Sequence, residues 1–188
     1  MRRSPAWDDV VYWALDLETG GLDPARHPVL SVGMVPVRAG IVMVGESFYS
    51  LVRADGHIGR DSLLVHHIMP SEVAGAPSRE TIVEEIDGRL RDAVLLVHSA
   101  AMDVPFLRRL YKQGGRRRPR PRVVDTAVLA ERVPGALLGG QSDLSGIRER
   151  LGLPRYREHH ALSDALATAE LFLVLRHHVG ARTLRDLT

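Results

Sequence analysis

Val10-Val11-Tyr12-Trp13-Ala14-Leu15-Asp16-Leu17-Glu18-Thr19-Gly20-Gly21 is rich in β-branched and aromatic residues up to Leu17, and its glycine pair makes a stop. That composition predicts a strand over Val10–Leu17. Two more strands are predicted at Val29–Val37 and Ile41–Val52, and Arg38-Ala39-Gly40 between them is short enough for an antiparallel hairpin. Farther on, strand and helix alternate. Helix Arg79–Arg91 carries an Ile82, Val83, Ile86, Leu90 stripe, and the apolar strand Ala93–Val97 follows. The next helix holds Phe106, Leu107 and Leu110 on one side, with Pro105 expected in its first turn, where a missing N–H does no harm. A brief strand at Val123-Val124 precedes helices Thr126–Arg132 and Asp143–Leu151, and Gly180 stops a last helix over Leu162–His178. This order predicts an α/β domain with a mixed sheet, three antiparallel strands and then parallel ones, flanked by helices.

The 188 residues suffice for one domain, 1–188, with residues 1–7 expected to be a loose N-terminus. A 45% hydrophobic and 26% charged composition excludes a disordered chain or a coiled coil. Having no cysteine, the chain cannot build a disulfide scaffold, a zinc-thiolate site, an iron–sulfur cluster or a Cys nucleophile. The net charge is only +2, yet of the 25 basic residues Lys112 alone is a lysine. Arginine suits contact with phosphate or carboxylate groups, although genome composition explains the bias equally well. No apolar stretch approaches the roughly 20 residues of a membrane span, and the N-terminus lacks a signal-peptide pattern. A soluble, cytoplasmic protein with no membrane partner is therefore expected.

Several acids stand where chemistry is feasible. Asp16 and Glu18 lie two apart at a strand end, so both side chains leave the same face. They either face solvent or share a divalent cation. Asp103 follows the buried strand and precedes the Pro105 helix, where an N-cap role competes with a metal role. For Asp125, ahead of Thr126, capping is the preferred explanation. Asp164 shares a helix face with Thr168, Leu171 and Leu175. A carboxylate among apolar residues is costly unless a cation pairs with it, and the competing account is an acid favoured by the helix dipole. His159 and His160, just before that helix, are two of nine histidines and carry no stronger signal alone.

Taken together, these positions resemble the DEDDh exonuclease family, which includes DnaQ-like and DNA polymerase III epsilon-like domains. Asp16-Leu17-Glu18-Thr19 with Gly21-Leu22-Asp23-Pro24 is similar to its first motif, and Val97-His98-Ser99-Ala100-Ala101-Met102-Asp103 to its second. His159-His160-Ala161-Leu162-Ser163-Asp164-Ala165 is similar to the third, a spacing that selects His159 over His160. Val65-His66-His67-Ile68 and Val124-Asp125-Thr126 match weaker signatures. The chain departs from the pattern at Gly20, Ser99 and Met102, where the family often has Thr, Asn and an aromatic residue.

The resemblance implies a ribonuclease-H-like fold and a hydrolase that shortens a nucleic-acid strand from its 3′ end, releasing nucleoside 5′-monophosphates. Two divalent cations, Mg²⁺ or Mn²⁺, would be held by Asp16, Glu18, Asp103 and Asp164, with His159 as general base. Leu22 would press on the terminal base, the backbone at Thr19 and Gly20 would meet the 3′ sugar, and His66, His98 and Ser99 would line the site. The implied partner is a single-stranded or frayed 3′ end of DNA or RNA, with DNA first. Proofreading with a polymerase or repair fits, although no segment identifies a polymerase-docking site. The alternatives are an RNA-directed exonuclease or short-oligonucleotide nuclease, and a non-catalytic nucleic-acid-binding or polymerase-associated module. Arg108–Arg122 holds eight basic residues and no acid. The topology nevertheless sends its loop to the end of the sheet remote from the acids, where a solvated variable loop is the favoured reading and a distant duplex or partner the other.

Overall fold

In a computed structural model that describes residues 4–117 and 121–188, one sheet is built from β1 (Tyr12–Thr19), β2 (Val29–Arg38), β3 (Ile41–Val42), β4 (Phe48–Leu51), β5 (Val94–Val97) and β6 (Val123–Asp125). Its order is β3-β2-β1-β5-β6, with β4 also paired to β2. β1, β3 and β4 run antiparallel to β2, whereas β5 is parallel to β1 and β6 to β5. This is the mixed sheet expected from the sequence. The helices are α1 (Arg60–His66), α2 (Pro70–Ala74), α3 (Arg79–Leu90), α4 (Ala100–Gln113), α5 (Thr126–Glu131), α6 (Gly135–Leu138), α7 (Leu144–Arg150) and α8 (Ala161–His178). Among them α1, α2 and α6 lie outside the helices expected from the sequence.

Strand alternation sorts β1 between two cores. Trp13, Leu15 and Leu17 pack with Ile82, Val83 and Ile86 of α3 and Phe106, Leu107 and Leu110 of α4. Tyr12 and Ala14 pack instead with Leu129 of α5, Ile147 of α7 and Ala165, Ala169 and Phe172 of α8. Asp16 and Glu18 continue this second series, so the period of two aims them at the α8 side.

The hairpin turn is tight because Arg38 pairs with Ile41, while Ala39 and Gly40 have φ of 48° and 76°. Two left-handed residues in a two-residue loop match strand twist. The predicted strand Ile41–Val52 is divided, however. Pro36 offers no N–H on the side where its carbonyl accepts from Met43, so the ladder breaks there and Val44–Glu46 makes a 3₁₀ turn before β4 rejoins β2.

The helix expected to begin near Pro105 starts at Ala100. Asp103 is therefore no N-cap but a buried residue in the first turns, and Pro105 lies within the helix, where the bond to the Ala101 carbonyl is lost. Residues 4–7 also differ from the loose start predicted. Ala6 bridges Thr183, the Trp7 N–H donates to the Arg182 carbonyl, and Trp7 packs edge-on against Phe172. Residues 1–3 of that predicted segment, and residues 118–120 of the basic loop, lie outside the described residues. No helix among the described residues is long and apolar enough to cross a membrane.

Candidate metal centre

Gly33 brings the acids together. It pairs with Asp16 across β1 and β2, and a Cβ there would stand 2.2 Å from the Ala161 carbonyl carbon and oxygen and 2.4 Å from the Leu162 nitrogen. Only a residue without a side chain lets the first turn of α8 lie directly on the sheet at the level of Asp16. Gly33 is not among the site residues expected from the sequence, although a Gly inside a strand pattern is the signal for such an approach. Asp164 enters in the same turn of α8. Its carboxylate accepts from the His160 N–H at 3.1 Å, so the helix-terminus role and a place among the acids coexist.

Asp16, Glu18 and Asp164 each present a carboxylate oxygen within 4.8 Å of the others. Asp103 stands beside this triplet, close enough for its charge to act on Asp16. All four carboxyl groups are pushed upward in pKa. Burial is the first cause at Asp16, followed by the charges of Asp103, Asp164 and Glu18. Burial and then the Asp164 charge raise Glu18 to about 7. At Asp103 burial leads, followed by the Asp125 charge, while the Leu17 N–H pulls the other way. Asp164 rises through burial, against the opposing pull of the His160 N–H and the His159 charge. Among the described residues no ion pair involves any of the four. Clustered oxygens lacking a positive partner are a donor set for a hard divalent cation.

The flanking corners are held from outside the cluster. Ser99 adopts a left-handed backbone, φ 68°, and its N–H and that of Ala100 donate to the two Asp125 oxygens at 2.9 and 2.7 Å. Asp125 also caps α5 through the Ala127 N–H, as expected. Capping is thus only part of its role, because it also fixes the entry to α4 and hence Asp103. Asn relaxes into a left-handed conformation more readily than Ser, which gives the departure at Ser99 a structural cost that Asp125 offsets.

Of the remaining predicted site residues, Leu22 projects into solvent at 80% exposure on a turn closed by Asp23, whose side chain accepts from the Ala25 N–H. Thr19 donates its hydroxyl to the Gly21 carbonyl. Gly20 is enclosed: a Cβ would meet Pro28 Cδ at 2.9 Å and the His57 carbonyl at 3.1 Å, which accounts for the absence of a second Thr. His66 is buried with both ring nitrogens engaged. Nδ1 accepts from the Ile68 N–H, so a neutral ring donates from Nε2 to Ser62, whose hydroxyl donates to the Thr19 carbonyl. Burial, first among its causes, lowers the His66 pKa in keeping with that neutral form. His66 thus braces the Thr19–Gly20 turn from behind. His98 meets Thr126 Oγ1 at 2.9 Å and feels the charges of Asp125 and Asp143, on the β6 side of the site. His159 is exposed, with φ 57°, and the half-buried His160 stacks on Tyr49 at 4.8 Å.

Comparison with known proteins agrees with this geometry. The RNase_T family, described as exonuclease, matches residues 13–172. A DNA polymerase III subunit epsilon-like protein of Rhodobacter capsulatus is 34% identical over 94% of the chain and 25% of its own length. The PolC-type DNA polymerase III of Thermotoga maritima is 33% identical over 88% of the chain, which spans only 12% of that relative. The fold matches Escherichia coli exonuclease I, solved with a dT13 oligonucleotide, at a TM-score of 0.78 and 15% identity over 90% of this chain and 41% of that one. That likeness bears out the ribonuclease-H-like arrangement of the sheet.

Proposed function

Because the chain belongs to the RNase_T exonuclease family, we propose that residues 1–188 act as one exonuclease domain, a metal-dependent 3′–5′ exonuclease that shortens DNA and releases nucleoside 5′-monophosphates. The observation that carries this reading is the convergence of Asp16, Glu18 and Asp164 oxygens within 4.8 Å, next to buried Asp103 and outside every ion pair among the described residues. Hard carboxylate oxygens suit Mg²⁺ or Mn²⁺. Asp16, Glu18 and Asp164 would hold one ion, and Asp16 with Asp103 a second. Two such ions, when bound, supply charge stabilisation at the attacking and leaving oxygens of a phosphodiester.

His159 takes the proton of the attacking water on a ring nitrogen, and its exposure lets the proton leave to solvent. Leu22 offers an apolar surface to the terminal base, and the Thr19–Gly20 backbone, braced by Ser62 and His66, meets the 3′ sugar. Ser99 and His98 complete the β6 side. A single-stranded or frayed 3′ end is the substrate, in line with the oligonucleotide bound to exonuclease I. Relatives named DNA polymerase III PolC-type and DNA polymerase III subunit epsilon-like protein support a polymerase partner in proofreading, and the cytoplasm is the location proposed with it.

The test is digestion of 5′-labelled single-stranded DNA, frayed duplex and RNA with Mg²⁺ or Mn²⁺, beside an Asp16→Ala control. Stepwise shortening of DNA from the 3′ end, absent in the control, is expected. Faster shortening of RNA than of DNA transfers the substrate class to RNA. No metal-dependent shortening of any strand overturns the enzyme reading.

A further inference from the structure

Among the described residues Arg148, on α7, is the only buried arginine, 4% exposed. It touches none of the acids at the metal centre. Its guanidinium donates to the Ala167 carbonyl of α8 at 2.7 Å, to the Pro154 carbonyl at 2.8 Å and to Glu170 Oε2 at 2.7 Å. The other Glu170 oxygen accepts from the Tyr156 hydroxyl at 2.8 Å, and the Arg148 guanidinium lies 5.1 Å from the centre of the Tyr156 ring. One arginine and one glutamate therefore grip two residues, Pro154 and Tyr156, of the segment joining α7 to α8.

That segment carries His159, three residues after Tyr156 and in a left-handed conformation. A histidine backbone keeps such a φ only where both sides are held. Downstream, the His160 N–H is bound to Asp164 and its ring is stacked on Tyr49. Upstream, the holding contacts are those of Tyr156 and Pro154 with Arg148 and Glu170. A charge pair with a buried arginine and a half-buried glutamate is an expensive way to join two helices, since apolar residues of like volume do it as well or better. Its distinguishing property is directionality, because the planar guanidinium fixes three acceptors at set angles.

We propose that Arg148, Glu170 and Tyr156 form a positioning clamp for His159, holding the loop so that the imidazole faces the metal centre. This rests on the general-base reading of His159 given above. The clamp acts on turnover, not on the binding of metal or strand.

The experiment pairs Glu170→Ala, and the milder Tyr156→Phe, with His159→Ala in double-mutant cycles on a short single-stranded DNA, and adds limited trypsin digestion without metal. Arg155 and Arg157 flank Tyr156 and are exposed, so the loop carries its own cleavage sites. In the wild-type background Glu170→Ala lowers kcat about tenfold or more, with KM and Mn²⁺ affinity within about twofold. In the His159→Ala background the same substitution costs less than about twofold. Trypsin cuts Glu170→Ala after Arg155 or Arg157 faster than wild type, and Tyr156→Phe shows the same pattern more weakly. Equal losses of kcat in both backgrounds, or no gain in cleavage at those two arginines, overturn the clamp. A fully active His159→Ala enzyme overturns the general-base reading and with it the clamp's catalytic purpose, whereas the tryptic arm decides separately whether the loop is held.

Discussion

The two ends of the sheet handle charge in opposite ways. At one end Asp16, Glu18, Asp103 and Asp164 crowd together, and no ion pair among the described residues reaches them. At the other, beyond the 14 residues of α4, Arg116 pairs with Glu84 and Asp87 of α3, and Tyr111 donates to Asp87. The basic loop is the more conspicuous feature of the sequence, yet Arg116 in its described part is exposed and paired with two local acids. The acid cluster is inconspicuous, being spread over almost 150 residues of sequence, yet it is the charge without a counterpart. Clustered carboxylates outside any ion pair suit a divalent cation, whereas a surface charge already paired asks for none.

The strongest blow to this contrast is Asp16→Ala, which removes one of the converging carboxylates and is expected to lower turnover by ~10³-fold or more, read by single-turnover cleavage. Next comes His159→Ala, with a loss of about 10²-fold while Mn²⁺ binding persists. A His159→Ala enzyme that turns over as fast as the wild type removes the base assignment. Gly33→Ala is expected to destabilise the fold by about 2 kcal/mol in chemical denaturation, because the α8 turn must move off the sheet, and to lower activity by displacing Asp164. Preserved stability and activity would show that the contact is not the constraint described. At the far end, Arg116→Ala is expected to change stability by less than about 1 kcal/mol and to leave cleavage of a dinucleotide intact. A large activity loss there would place the basic loop at the site.

The same contrast sets a pH dependence. Acids whose folded pKa is raised stabilise the fold only while protonated, so their contribution is full below the unfolded value and is lost as pH rises through the folded one. For Glu18 that window runs from 4.5 to about 7, with burial as its leading cause and the Asp164 charge second. The metal-free protein is therefore expected to lose melting temperature across that window, and Glu18→Gln to lose less of it. Added Mn²⁺ should raise the melting temperature more at pH 8 than at pH 5. A metal-free protein that becomes more stable over the window, with Glu18→Gln unchanged, would contradict the assigned shifts.

Much of this was legible because strand alternation is a local rule. Val10 to Leu17 places Asp16 and Glu18 on one face, and the spacing of His159 and Asp164 needs only the start of one helix. What was not legible depends on contacts distant in sequence. The start of α4 at Ala100 rests on Asp125, 25 residues away, gripping the corner at Ser99 and Ala100, whereas the local signal at Pro105 pointed later. The division of Ile41–Val52 is caused by Pro36 on the neighbouring strand. The bracing role of His66 and the ordered residues 4–7 likewise come from partners elsewhere in the chain.

The clustered acids are expected to bind a divalent cation. Calorimetric titration of the metal-free protein with Mn²⁺ at pH 7, repeated in buffers of different ionisation heat, measures that binding. Saturable binding that releases protons, since Glu18 titrates at about 7 before the ion arrives, is predicted for the wild type, with loss of both signals in Asp16→Ala. Equal Mn²⁺ binding by wild type and Asp16→Ala, or no binding by either, would contradict it.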